Sequence, residues 1–195
     1  QASRPRSGAE RMTETPEPLV LFLHGPEGRP SDFDAVARRL PERFPTRAPG
    51  LRWETAYPPR DLVAGLEEAL RAEGRPLVLV AVSQAAYVAL ELARRNRGRV
   101  RGVVLSGCTD DARDDFARVD APALLLWGID DAVTPPALGR RVREALPGSR
   151  LLFVLEAGHL PMVDRPSVFA FHLASFLNDL SPVRLPPRRL VDEAA

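Results

Sequence analysis

Three kinds of side chain that support nucleophilic catalysis follow apolar stretches of this sequence. Ser83 comes just after the apolar run Leu77 to Ala81 and just before a helical pattern. A serine hydroxyl is a poor nucleophile at neutral pH, so it needs a general base, and that base needs an acid to orient it. His159 is the best candidate base, and either Asp130 or Asp131 could be the acid. The chemistry predicted by these residues is acyl transfer through a serine.

The residues around Ser83 predict a sharp turn between a buried strand and a helix. A serine in such a turn is exposed at the carboxyl end of the strand, where open α/β sheets bind ligands and where the next helix directs its free N–H groups. The known form of the turn is G-x-S-x-G, in which small residues let the strand and helix approach closely. Here alanines, Ala81 and Ala85, stand in the two glycine positions. The five residues alone are equally compatible with an ordinary strand-to-helix junction.

His159 lies on the same predicted edge as Ser83, because it follows a strand through Glu156, Ala157 and Gly158. His172 falls in the middle of a predicted helix, which favours a packing or surface role.

Four segments in this order resemble the α/β-hydrolase family, over about residues 18 to 180. They are LVLFLHG (Leu19 to Gly25), the serine turn, ALLLWGIDD (Ala123 to Asp131) followed by AVTPP, and LEAGHLPMVDRP (Leu155 to Pro166). The resemblance implies that Ser83, Asp131 and His159 form a Ser-Asp-His triad, with Ser83 in the family's nucleophile elbow.

The same resemblance separates the candidate acids. The family pattern W-G-x-x-D matches Trp127, Gly128 and Asp131, which leaves Asp130 as a turn-stabilising residue. Some relatives take their acid from a position after the fourth strand, so Asp110 is a further candidate. In the family, the histidine of the HG pair, here His24, shapes its loop.

The fold implied is a three-layer α/β-hydrolase fold: a mostly parallel sheet of about six strands with helices on both faces. The last helix is predicted over Pro166 to Leu180, and a second strand over Arg47 to Trp53. A helix with apolar positions at Phe33, Val36, Ala37 and Leu40 is predicted after the cap Ser31-Asp32. The remaining predicted strands are Leu19 to Leu23, the serine strand, Val100 to Leu105, Ala123 to Trp127 and Leu151 to Leu155.

No lid domain is expected. The family often inserts one after the fourth strand, but only Ser106 to Pro122 connects that strand to the next, which is room for one short helix near Asp114 to Val119.

The oxyanion hole is where the sequence departs most from the family. Two N–H groups are needed, and the residue after the nucleophile, Gln84, supplies one. The family commonly takes the second from the residue after HG, which here is Pro26 and has no N–H. Either Glu27 or another loop amide then substitutes, or the hole is half built. A competing hypothesis is a non-catalytic ligand- or protein-binding module that kept the hydrolase sheet.

Without a lid, loop residues must line the acyl pocket, and such a small open site suits short acyl groups. Each candidate could equally be a core residue. The candidates are Phe33, Trp53, Tyr57, Leu160 and Met162.

The resemblance implies a small-molecule acyl substrate as the partner, and composition argues against nucleic acid and membranes. The formal net charge is +1, which gives no electrostatic reason to bind nucleic acid or an anionic membrane. Every basic residue apart from histidine is arginine, so a lysine nucleophile is excluded. The one cysteine, Cys108, forms no internal disulfide, and no Cys/His spacing suits a metal, so neither metal nor organic cofactor is expected.

The expected organisation is one cytoplasmic domain. Residues 1–17 are predicted to be a disordered leader, residues 18–180 the α/β-hydrolase domain, and residues 181–195 a flexible tail. The longest apolar runs are far shorter than the roughly 20 residues of a membrane span. The substrate and the oligomeric state do not follow from the sequence.

Overall fold

Six segments of the chain form a single parallel β-sheet in the computed structural model, which describes residues 16–53, 60–108 and 119–181. The order across the sheet is β2-β1-β3-β4-β5-β6. The strands are β1 (Leu19–Leu23), β2 (Thr46–Arg47), β3 (Leu77–Val82), β4 (Val100–Ser106), β5 (Ala123–Gly128) and β6 (Arg150–Val154).

The central strands are buried along their whole length, because helices cover both faces of the sheet. Every residue of β1, β3 and β5 is buried. Neighbouring apolar residues also pair across the sheet: Leu21 lies beside Leu79, which lies beside Val103. Leucine and valine suit such positions, since they pack well on a pleated surface.

Alternate residues of each strand pack into two separate cores, one on each face of the sheet. Leu19 and Leu21 belong to one core, and Val20 and Phe22 to the other. The helices are α1 (Asp34–Ala37), α2 (Arg60–Ala69), α3 (Ala85–Arg95), α4 (Pro136–Ala145), α5 (Pro161–Asp164) and α6 (Pro166–Leu180). Apolar residues of α2, α3 and α4 fill the first core, and those of α1, α5 and α6 fill the second. The predicted three-layer fold is confirmed.

Three elements differ from their predictions. The helix predicted after Ser31-Asp32 is a 3-10 turn, Pro30–Phe33, followed by the single turn α1. The second strand is only Thr46–Arg47, because just these two exposed residues pair with β1 before Pro49 and Gly50 interrupt the extended segment. The short helix α5 was not predicted.

The connection from β4 to β5 is residues 107–122, far fewer than the roughly 50 residues of a small domain, so the chain has no lid domain here. The short helix predicted near Asp114 to Val119 falls almost entirely outside the described residues, as does Asp110. Most of the predicted leader and tail also lie outside them. Within the described ranges, no helix has the length and apolar character needed to cross a bilayer.

Candidate active site

The carboxyl ends of the parallel strands meet at one edge of the sheet, and the candidate residues lie in the turns there. Ser83 follows β3, Gly107 follows β4 and Asp131 follows the end of β5 by three residues. His159 lies after β6, in the turn that precedes α5, and Gly25 follows β1. Parallel strands therefore bring residues distant in sequence to one place.

Ser83 adopts a left-handed backbone conformation, with φ of 57°. A non-glycine residue in this region costs about 1 to 2 kcal/mol, because its Cβ approaches the carbonyl oxygen. The strand and helix fix the turn from both sides: the Ser83 N–H donates to the Ser106 carbonyl at 2.9 Å, and the Ser83 carbonyl accepts from Ala86 N–H at 3.1 Å. A strained turn of this kind at a sheet edge is typical of a functional residue.

The Asp131 carboxylate is buried and held by several donors. Its Oδ1 accepts the N–H groups of Val133 at 2.9 Å and Thr134 at 2.8 Å. Its Oδ2 accepts the Thr134 hydroxyl at 2.6 Å and lies 3.0 Å from His159 Nδ1. Burial alone would raise the pKa of this carboxyl, but the hydrogen bonds from Thr134 and His159 outweigh burial and lower it. Asp131 is therefore ionised at neutral pH.

The contact with Asp131 assigns the His159 tautomer. Because Asp131 Oδ2 accepts the proton on Nδ1, the other ring nitrogen, Nε2, is left with a lone pair and can act as a base. Thr134 Oγ1 lies 3.3 Å from the same Nδ1, so it also faces the ring. Only 12% of the His159 side chain is exposed.

Asp130 is placed differently from Asp131. It is exposed, and its backbone N–H donates to the Ala157 carbonyl at 3.0 Å, which ties the turn after β5 to the loop carrying His159. A second hydrogen bond fixes the same turn, because the buried Trp127 indole N–H donates to the Thr134 carbonyl at 2.8 Å.

Two glycines, Gly107 and Gly128, allow His159 to reach its position, and the sequence analysis singled out only Gly128, as part of the W-G-x-x-D pattern. A Cβ on Gly107, which has φ of 56°, would lie 2.8 Å from His159 Cε1 and 2.9 Å from Nδ1. A Cβ on Gly128 would lie 2.0 Å from the Gly158 carbonyl oxygen, so strand and loop meet backbone to backbone. The available sequence signal for Gly107 was its place in the Ser106-Gly107 pair, where β4 ends.

His24 shapes the loop after β1, as the resemblance implied. Its Nε2 accepts the Leu51 N–H at 3.0 Å, so the ring proton is on Nδ1, which lies 2.8 Å from the Gly25 carbonyl oxygen and donates to it. A Cβ on Gly25 would lie 2.9 Å from Ser83 Cβ. The loop therefore rests directly on the serine turn.

The Glu27 side chain lies between this loop and His159. Its Oε1 is 3.3 Å from His159 Nε2, at ion-pair distance but without hydrogen-bond alignment. The same oxygen is 2.8 Å from the Cβ position of Gly25. No residue that the structure describes makes a hydrogen bond to Nε2. The sequence analysis considered only the backbone N–H of Glu27, as a candidate donor in the oxyanion hole, and not its side chain.

Comparison with known proteins agrees with this fold. Residues 20–113 match the family model described as "Alpha/beta hydrolase family", and residues 106–182 match the model described as "TAP-like protein". A thermophilic esterase from Thermogutta terrifontis, solved with malate bound, superimposes with a TM-score of 0.71 at 19% identity over 86% of this chain and 92% of that one. The chain belongs to the α/β-hydrolase fold family.

Curated relatives of this α/β-hydrolase match over shorter stretches. A stretch of 64 residues is 34% identical to the uncharacterized hydrolase YugF of Bacillus subtilis, and covers 33% of this chain and 23% of that protein. Another of 60 residues is 40% identical to the pimeloyl-[acyl-carrier protein] methyl ester esterase of Neisseria meningitidis serogroup B, and covers 31% of this chain and 23% of that esterase. The chain thus matches less than a quarter of the length of either relative.

The predicted pocket residues of this α/β-hydrolase fall into different environments. Phe33 stacks on Phe22 with ring centroids 4.7 Å apart, and Met162 is fully buried in the same core. These two therefore present almost no surface to a ligand, because their side chains are used in packing. Leu160 and Trp53 are half-buried beside the cores, whereas Tyr57 lies outside the described residues.

No group of three or more His, Cys, Asp or Glu side chains within residues 16–53, 60–108 and 119–181 has the arrangement of a metal site. The chemistry available at this edge is that of a serine, an imidazole and carboxylates.

Proposed function

We propose that this α/β-hydrolase is a serine hydrolase that cleaves carboxylic esters, or related acyl bonds such as thioesters, through an acyl-Ser83 intermediate. The observation that carries the proposal is the 3.0 Å contact between His159 Nδ1 and buried Asp131, at the sheet edge where Ser83 occupies a left-handed turn. The names of the esterase and hydrolase relatives support the same reaction class.

In this mechanism Ser83 Oγ attacks the carbonyl carbon while His159 Nε2 takes the serine proton. Ionised Asp131 stabilises the resulting imidazolium and keeps it oriented. The imidazolium then protonates the leaving alkoxide or thiolate as the carbonyl re-forms. A water molecule, deprotonated by His159, attacks the acyl carbon and releases the acid, and the proton returns to Ser83.

The negative oxygen of each tetrahedral intermediate needs N–H donors. The backbone N–H of Gln84, at the start of α3, is the proposed first donor, and that of Glu27 the proposed second. Pro26 cannot donate, because its nitrogen carries no hydrogen. Leu160 and Trp53 remain the proposed contacts of a short acyl group.

A non-catalytic binding module is the second candidate. The observation that favours it is the Glu27 carboxylate beside His159 Nε2, where a triad histidine meets its serine. The Asp131 contacts and the left-handed Ser83 turn favour catalysis instead, since a binding module needs neither.

The test is covalent labelling with a fluorophosphonate, together with hydrolysis of p-nitrophenyl esters of short acids. The wild type and Ser167→Ala, which alters an exposed serine on α6, should label and turn over. Ser83→Ala should do neither. Labelling that persists in Ser83→Ala would refute Ser83 as the nucleophile, and an unlabelled wild type would favour the binding module.

A further inference from the structure

Glu27 places a negative charge at the reacting centre of the proposed enzyme. Its carboxylate oxygens lie 2.8 and 3.1 Å from the point that a Cβ on Gly25 would occupy. Ser83 Cβ lies 2.9 Å from the same point. Oε1 is also 3.3 Å from His159 Nε2. The carboxylate therefore occupies the space bounded by Gly25, Ser83 and His159.

A substrate carbonyl must enter the same space, because it has to reach Ser83 Oγ while His159 Nε2 takes the proton. The Glu27 side chain can move aside, since 41% of it is exposed and its contact with His159 Nε2 is not an aligned hydrogen bond. Its backbone stays in the loop after β1, directly after Pro26, so the carboxylate charge stays near the bound ester.

We propose that Glu27 is a specificity-determining residue that selects substrates by charge. It favours esters with a cationic group near the scissile carbonyl and disfavours those with an anionic acyl group. This inference rests on the serine hydrolase function proposed above.

The charge balance around the imidazole supports this selection. Asp131 on Nδ1 is already saturated by its Thr134, Val133 and His159 contacts, so it offers little to a ligand. No residue in the described part of the chain donates a hydrogen bond to the Glu27 carboxylate. A cationic substrate would supply a new partner for the Glu27 carboxylate when the ester displaces it from His159, whereas an anionic acyl group would meet repulsion.

The experiment compares two fluorophosphonates of equal shape, one ending in a trimethylammonium group and the other in its neutral tert-butyl isostere. Labelling rates are measured on the wild type, on Glu27→Gln, which keeps the size and removes the charge, and on Asp130→Asn. The last variant removes one exposed negative charge from the same edge of the sheet. The wild type and Asp130→Asn should label about tenfold faster with the cationic probe, the effect of one partly hydrated charge pair.

Glu27→Gln should label at nearly equal rates with the two probes. A preference for the cationic probe that persists in Glu27→Gln would overturn the inference. So would an equal loss of that preference in Asp130→Asn, because the summed charge at this edge of the sheet would then be responsible. In both cases labelling of Ser83 would continue, so the proposed hydrolase function would stand. If neither probe labels the wild type or any variant, both the Glu27 inference and the proposed hydrolase function are rejected.

Discussion

At the scale of single residues, the imidazole of His159 lies between two carboxylates in different environments. Asp131, on Nδ1, is buried and accepts hydrogen bonds on both oxygens. Glu27, on Nε2, is substantially exposed and lies at a longer distance. The Asp131 carboxylate is fixed and can orient the imidazole, whereas the Glu27 carboxylate can move away from it.

Replacing Asp131 by Asn should lower kcat for ester hydrolysis by about 10⁴-fold, because the imidazole loses its orienting acceptor. Asp130→Asn should change kcat by less than about threefold, since this side chain is exposed and only its backbone N–H is tied to the His159 loop. Steady-state kinetics on both variants, with thermal unfolding to verify folding, make the comparison. Similar losses in the two variants would contradict the assignment of Asp131 as the acid.

Gly107→Ala should lower kcat by about 100-fold, the effect of displacing a catalytic group by about 1 Å. The new methyl group would lie 2.8 Å from His159 Cε1, so the ring must shift away from its position on Asp131. Gly65→Ala is the control, because a Cβ there meets nothing within 4 Å. Wild-type activity in Gly107→Ala would show that the imidazole tolerates the shift.

The sequence indicated some of these residues and not others for a physical reason. Asp131 and His159 each follow an apolar run closely, so local order was enough to suggest that they share an edge. Thr134 and Gly107 act on the pair through contacts between turns, and the distances between neighbouring turns are not encoded in local spacing. The roles of Thr134 and Gly107 are therefore visible only in the three-dimensional structure.

At the scale of elements, the turn between β3 and α3 stores backbone strain at Ser83. Glycine adopts this left-handed conformation without penalty, whereas alanine keeps the cost. Ser83→Gly should therefore unfold with a free energy about 1 kcal/mol higher than Ser83→Ala, although both should be inactive. Urea denaturation of the two variants measures the difference. Equal midpoints and slopes would mean that the turn relaxes when the serine is lost.

Elements with a strong apolar pattern were predictable from sequence, and elements defined by pairing were not. The helix α6 occupies Pro166–Leu180 as predicted, because proline opens it and its apolar residues cover one core. The length of β2 depends on how many residues meet β1, and only two do. The single turn α5 lacks the length over which helical periodicity becomes visible.

At the scale of the whole molecule, an ion-pair network joins α2 to α3. Arg95 of α3 contacts Glu91 at 2.7 Å and Glu67 of α2 at 3.3 Å, and Arg94 contacts Glu91 at 2.6 Å. The hydrogen bond from Arg94, together with that from Arg95, lowers the pKa of Glu91 from 4.5 to about 2, although partial burial of the carboxylate acts in the opposite direction. The network therefore stabilises the fold only while Glu91 is ionised.

Glu91→Gln should lower the free energy of unfolding by about 1 kcal/mol at pH 7, a modest value because solvent screens the network. A lowered folded-state pKa stabilises the protein above the unfolded value, so the wild-type advantage should be full above pH 4.5 and fade as the pH falls towards 2. Urea denaturation at several pH values tests this. Glu68→Gln is the control, because its pair with Arg71 is exposed and should contribute little. A pH-independent difference for Glu91→Gln would contradict the linkage.

The buried position of Cys108 has a practical consequence for mass spectrometry. Reactive esters commonly acylate lysine amines and free thiols, which creates background adducts. This chain has no lysine, and its one thiol is 1% exposed in the core beneath the sheet edge. A stoichiometric acyl adduct on the intact protein would therefore report the trapped intermediate nearly free of the usual side reactions, and its decay would time deacylation directly.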